Sequence, residues 1–307
     1  SHALYWLGWV WIFTLLMRKL LSRRIYNVRK SILSITLSVA VLTLFLTLST
    51  IAIAGIGGDP VILTGDDALT DAEARGLPKL EQDRPDAPWI TKWYMPGPYT
   101  NNGGFAVSGP IDIIKDASGG ALTQESLSTV DGLLKTQTTK LDFGADNGGS
   151  EEWTVKTIDP TDGNNMSTIY GGADESNFDT WAIIVIESPK DHVAVMSPAQ
   201  DDFAQIWVNG DKYHNDSKWT GGATKVNYDI PISLNEGANV LLYRCGESGG
   251  SDYFNLHLDD ATMNAVSIFP KDSTDKDSFF KEISSIVTAV DSKHKLPVVW
   301  GEVKARR

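Results

Sequence analysis

Between Trp181 and Leu258 the chain repeats one short theme, an apolar stretch of strand length followed by a turn rich in Gly, Asn or Asp. Trp181 to Ile186 reads WAIIVI, a continuous apolar run typical of a strand in a sandwich core. His192 to Met196 (HVAVM) reads as a further short strand. Phe203 to Val208 (FAQIWV) runs into Asn209-Gly210, the pair best suited to a two-residue hairpin turn. Val226, Tyr228, Ile230, Ile232 and Leu234 recur with period two, so one face of that segment is buried and the other wet. Asn235-Glu236-Gly237 turns the chain into Val240 to Cys245, Gly246 to Gly250 turns it again, and Phe254, Leu256 and Leu258 alternate once more. A period of two places every second side chain on one face of a strand and smears apolar residues around a helix. The expected fold is mainly β, an antiparallel β-sandwich of jelly-roll-like type spanning residues 89–262. Leu122 to Leu134 reads as a short helix within it.

The flanks differ. Residues 1–54 contain Arg18, Lys19, Arg23, Arg24, Arg29 and Lys30 and no acidic residue. Ser31 to Ala54 is uncharged and apolar, and Ala52 and Ala54 precede Gly55 as small residues precede a cleavage site. A basic region before an apolar run places the basic side in the cytoplasm. Residues 1–54 are thus expected to be an apolar leader helix, a secretory signal peptide or an uncleaved membrane anchor, with Met17 as an alternative start. The protein is expected to be secreted, periplasmic or at the cell surface, in contact with a membrane only through that leader. Residues 55–88 read as an acidic linker. Residues 263–307 read as a C-terminal amphipathic helix and a basic tail, because Phe279, Ile283, Ile286, Val287 and Val290 fall near one helical face.

Charge excludes one class of partner. After the leader, 21 basic residues stand against 39 acidic ones, a net charge of −18. Such a surface repels phosphate backbones, and nucleic acid is not an expected ligand. The single cysteine, Cys245, lies in an apolar run and reads as a small core residue; one cysteine permits no internal disulfide. The four histidines after the leader, His192, His214, His257 and His294, are isolated and show no zinc-ligand spacing. No G-x-S-x-G elbow and no phosphate-binding glycine loop occurs. A catalytic role is therefore not expected.

Two stretches resemble modules of secreted bacterial proteins. Trp93-Tyr94-Met95-Pro96-Gly97-Pro98-Tyr99 resembles a W-x-x-x-GPF opening. Asp201-Asp202-Phe203-Ala204-Gln205-Ile206-Trp207-Val208-Asn209-Gly210, followed by Leu234-Asn235-Glu236-Gly237-Ala238-Asn239-Val240-Leu241-Leu242, resembles a DD-x-x-x-x-WVNG and L-x-x-G-x-N-x-LL pattern. The same order is similar to protective-antigen-like and carbohydrate-binding-module-like jelly rolls, over about 170 residues. The resemblance implies a glycan-binding surface and a calcium ion held by paired aspartates, here Asp201 and Asp202. Phe203 departs from that pattern, which usually has Gly there. Calcium takes six to eight oxygen ligands, so further donors are needed, and Asp216 and Asn215 are candidates. On the residues alone, Asp201-Asp202 could equally cap a turn before a strand.

Sugar recognition needs an exposed aromatic face with hydrogen-bonding groups at its rim. Tyr213-His214-Asn215-Asp216-Ser217-Lys218-Trp219 has that composition and follows the Asn-Gly turn, so Tyr213, His214, Asn215 and Trp219 are the candidate ligand-binding residues. Trp207 alternates with Ile206 and Val208 and is expected to pack on the other face of its strand. Three functions are compatible with these features. The first is an exported, non-catalytic sandwich binding glycan with calcium. The second is an interaction module of a cell-surface assembly that uses the C-terminal helix and tail. The third is a glycoside hydrolase with an undeclared carboxylate pair.

Overall fold

A computed structural model of the chain describes residues 58–64, 72 and 75–288. The leader expected over 1–54 and the tail after 288 lie outside the described residues. The strands, in chain order, are β1 (Gln82–Asp83), β2 (Lys92–Met95), β3 (Tyr99–Thr100), β4 (Leu141–Asp142), β5 (Ser150–Glu151), β6 (Thr154–Thr157), β7 (Phe178–Ser188), β8 (His192–Gln200), β9 (Phe203–Val208), β10 (Asp211–Asp216), β11 (Lys225–Val226), β12 (Ile230–Leu234), β13 (Gly237–Glu247), β14 (Phe254–Leu258) and β15 (Ser267–Phe269). An eight-stranded sheet runs β10-β9-β13-β7-β2-β6, with β3 and β15 also pairing β7. A three-stranded sheet runs β12-β8-β14, and every pairing in both sheets is antiparallel. The protein is mainly β, and its two principal sheets face each other as a sandwich.

Period two explains the layers. Ala182, Ile184 and Ile186 of β7, Leu241, Tyr243 and Cys245 of β13, and Ala204, Ile206 and Val208 of β9 point into one core. Met196 of β8, Ile230 and Ile232 of β12, and Phe254 and Leu256 of β14 meet them from the smaller sheet. The intervening residues Trp181, Ile183, Val185, Trp207, Val240 and Leu242 point the other way, into a second core. WAIIVI is continuous because both faces of β7 are buried.

That second face is covered by helices. Four short ones, α1 (Phe105–Ser108), α2 (Ile113–Ala117), α3 (Gln124–Leu127) and α4 (Val130–Lys135), fill the region between β3 and β4. The last two occupy the segment expected to be a single short helix. Thr123 caps α3 with a reciprocal box to Ser126, and Thr129 caps α4 through the Gly132 amide, so two N-caps six residues apart split the segment. A helix over 276–288 adds Phe279, Ile283, Ile286 and Val287 to the same core. Its apolar face is consumed by the sandwich: Phe279 stacks on Tyr94 with ring centroids 4.7 Å apart.

Candidate functional site at one end of the sandwich

The ladders place the chemistry. Glu247 at the end of β13 pairs with Phe178 at the start of β7, and Gly246 pairs with Phe203 at the start of β9. Asp216 at the end of β10 pairs with Ala204, and Phe254 at the start of β14 pairs with Gln200 at the end of β8. The connections 201–202, 217–224 and 248–253 therefore gather at one end of the sandwich.

Asp201, Asp202 and Glu247 converge there, with one carboxylate oxygen from each lying within 4.8 Å of the others. The backbone fixes them from both sheets. Asp201 donates its amide to Tyr253 O (2.9 Å), and Asp202 donates its amide to Gly246 O (3.0 Å). Their shared peptide bond is cis. Oδ2 of Asp202 accepts from the Ser248 amide at 3.3 Å, and Oε1 of Glu247 accepts from the Gly249 amide. Glu247 is completely buried, and its Oε2 has no hydrogen-bond partner among the described residues. Sequence reasoning missed Glu247. The available clue was a lone carboxylate ending an apolar strand that antiparallel pairing returns to the Asp-Asp step.

The cluster carries more negative charge than its surroundings neutralise. Burial, and after it the charge of Asp202, pushes the Asp201 carboxyl up to about 7. Burial and the charges of Asp202 and Asp201 push Glu247 up to about 8. Nearby Asp252 rises to about 6 through burial, opposed by bonds from the Ser167 amide (2.7 Å) and Ser167 Oγ (2.5 Å). Hard, anionic oxygens crowded this way form a donor set suited to a divalent cation. The fit is strengthened by Glu247 Oε2, a buried acceptor that the described residues leave unsatisfied.

The other sequence candidates separate. Tyr213 to Asp216 are not a loop but part of β10. The β9–β10 register skips Tyr213, since Lys212 pairs with Trp207 and His214 with Ile206. This bulge turns the Tyr213 ring into the inter-sheet core, where it is 2% exposed and cannot stack on a ligand. His214 and Asn215 are also buried, and Asn215 Oδ1 accepts from Gln205 Nε2 at 3.1 Å. Asp216 is not one of the three converging carboxylates; its Oδ1 accepts from the Lys218 amide at 2.9 Å.

Trp219 is different. It is 58% exposed and sits in the 217–224 connection. Its neighbours tie that connection to the residue preceding the aspartates: Thr220 donates its amide to Gln200 O (2.9 Å), and Gln200 Nε2 donates to Lys218 O (3.1 Å). Phe203, which replaces the glycine of the resembling pattern, stacks on Phe105 with centroids 5.8 Å apart, and so packs the 101–109 segment against this end. Trp207 faces the second core, as its alternation requires.

A mainly β protein of packed antiparallel sheets with a carboxylate cluster at one end is the class these observations define. No protein-family model matches the chain, and no curated protein matches it. Among solved structures, an anti-sigma factor domain-containing protein from Clostridium clariflavum aligns with 40% of this chain at 13% identity and a TM-score of 0.29. The chain spans 42% of that protein's length. A family 35 carbohydrate binding module from Clostridium thermocellum aligns with 38% of this chain, over 86% of its own length, at 20% identity and a TM-score of 0.21.

Proposed function

We propose that the protein is an exported, non-catalytic, jelly-roll-like module that binds glycan at the acidic end of its sandwich, assisted by a calcium ion. Asp201, Asp202 and Glu247 hold the ion. Calcium takes six to eight oxygens, so three carboxylates leave positions that sugar hydroxyls can complete. Trp219 supplies the exposed aromatic face against which a sugar ring stacks. The observation that carries this reading is the convergence of three carboxylates, one of which, Glu247, keeps a buried Oε2 with no partner among the described residues.

The hydrolase reading is less well supported by the same geometry. Carboxylates that flank a glycosidic bond stand roughly 5 to 9.5 Å apart, with the sugar between them. Here three carboxylates rather than a facing pair converge, with one oxygen of each within 4.8 Å of the others. The reading in which the C-terminal helix recruits a partner loses its apolar face, since Phe279, Ile283, Ile286 and Val287 are buried.

Glycan-array binding with calcium and with chelator tests the proposal. A calcium-dependent part of the array signal is expected, and Trp219→Ala, Asp202→Asn and Glu247→Gln should each abolish that part while leaving the fold intact by circular dichroism. Calcium titration of the unliganded protein should saturate in the wild type and fail in Glu247→Gln. An array signal with no part that chelation or any of the three substitutions removes would refute the site.

A further inference from the structure

On the opposite face of the large sheet, between the β9–β10 hairpin and the short helices, lies a cavity of about 300 Å³. That volume is at the small end of ligand pockets, roughly 300 to 1,000 Å³. Trp207 contributes its aromatic wall. The Lys212 ammonium lies 4.9 Å from the Trp207 ring centroid, so a cation already rests on that face. Gln124, Gln205 and Asp112 supply buried or half-buried polar groups, and Glu125 and Asp211 stand at the more open positions.

The walls are fixed independently of one another. Gly210 donates its amide to Ser128 Oγ at 2.9 Å, which holds the hairpin tip. Arg244 Nη1 donates to Gly109 O (3.3 Å) and Ile111 O (3.1 Å), which holds the opposite wall. Asp112 accepts the Gln124 amide at 3.1 Å, and Gln124 Oε1 accepts from Trp181 Nε1 at 3.1 Å. The Leu63 amide donates to Lys212 O at 2.8 Å and brings in the earlier chain segment. A cavity whose walls are anchored this way binds without first being ordered. In contrast, the Glu125 and Asp211 carboxylates make no side-chain hydrogen bond or ion pair among the described residues.

The chemistry narrows the ligand. Among the described lining residues three carboxylates stand against one lysine, a balance that disfavours phosphates and other anions. Among the described residues the three carboxylates of this cavity do not converge as Asp201, Asp202 and Glu247 do. Amides, carboxylates and a lysine beside an aromatic ring match a neutral molecule with many hydroxyls. We infer that this cavity is a second ligand site, taking a single sugar ring or a polyol of that size, and that it works without the acidic end or its ion.

Isothermal titration and ligand-observed NMR with neutral hexoses and hexosamines, on the whole chain, test this. Saturable binding to at least one probe is expected, undiminished by chelator, Glu247→Gln or Trp219→Ala. The double variant Glu125→Gln, Asp211→Asn should weaken it by about tenfold or more, the loss expected from hydrogen bonds to charged groups. Circular dichroism and an unchanged calcium titration would show the variant folded. Absence of saturable binding to any probe would overturn the inference, as would binding that Trp219→Ala or chelation removes. Those results leave the acidic site standing, and loss of the acidic site leaves the cavity standing.

Discussion

The most constrained side chain is Arg244. It is fully buried in the C-terminal half of β13, where Nε and Nη2 both donate to Asp179 Oδ2, at 2.9 and 2.5 Å. Nη2 also donates to Ser108 O (2.7 Å) and Nη1 to Gln205 Oε1 (3.2 Å), while the guanidinium lies against the rings of Trp181 and Phe203. Asp179 Oδ1 in turn accepts from Asn101 Nδ2 (2.8 Å) and Ser108 Oγ (2.9 Å). The pair rivets the 101–111 segment to the sheet, and Asn101 carries the link on to Glu247 O at 3.3 Å. Removing one partner strands the other charge in a dry site. Arg244→Met should therefore destabilise the protein by about 3–5 kcal/mol in urea unfolding. The double variant Arg244→Met, Asp179→Leu should recover part of that loss, because no lone charge remains. A single variant within about 0.5 kcal/mol of wild type, as at an ordinary surface position, would show that the pair is not buried as described.

Elements differ in how openly the sequence declares them. The β9–β10 hairpin is legible because its turn needs two residues of positive φ and the chain supplies Asn209 (φ 54°) and Gly210 (φ 94°). β12 and β14 are legible from alternation and β7, β9 and β13 from apolar runs of strand length, whereas β10, short of apolar residues, reads as a loop. The helix over 276–288 is legible from its spacing, but its destination was not: nothing in a helical stripe says whether it covers its own sheet or a partner. Phe279→Ala, which empties the contact with Tyr94, should cost about 3–5 kcal/mol if the helix is part of the core. A loss under about 1 kcal/mol in the same unfolding experiment would detach it. At the candidate site, a resemblance pointed to the Asp-Asp step, and the composition of its segment pointed to Trp219. Glu247 could not, because its role depends on strand register rather than sequence distance. Tyr213 misled for a related reason: one inserted residue reverses the facing of the side chains that follow, and a bulge leaves no sequence mark.

For the molecule as a whole, pH and calcium should act through the same end of the sandwich. Asp201 and Glu247 titrate near 7 and 8 in the fold and near the ordinary carboxylate range, about 4, when unfolded. A folded pKa above the unfolded one means that the native state holds the proton more tightly. The associated stability is complete below about pH 4 and is lost as pH rises through 7 and 8. His257, buried beside Trp89, has the opposite sign: burial lowers its pKa, and its contribution is lost only as pH falls below the unfolded value near 6.5. Between pH 7 and 9 the histidine is at most about a quarter protonated even when unfolded, so the carboxylates dominate that window. The melting temperature of calcium-free protein should fall from pH 7 to pH 9, and Glu247→Gln should flatten the fall. On the proposed reading, calcium should bind the ionised carboxylates and reverse the penalty. At about a hundred times its dissociation constant it adds about 2.7 kcal/mol, or about 5–10 °C for a domain of this size. The gain should be greater at pH 8.5 than at pH 6, where protons compete for the same oxygens. A calcium-free melting temperature that stays level or rises from pH 7 to 9 would mean that the three carboxylates do not crowd one another, and the ion would lose its reason to bind.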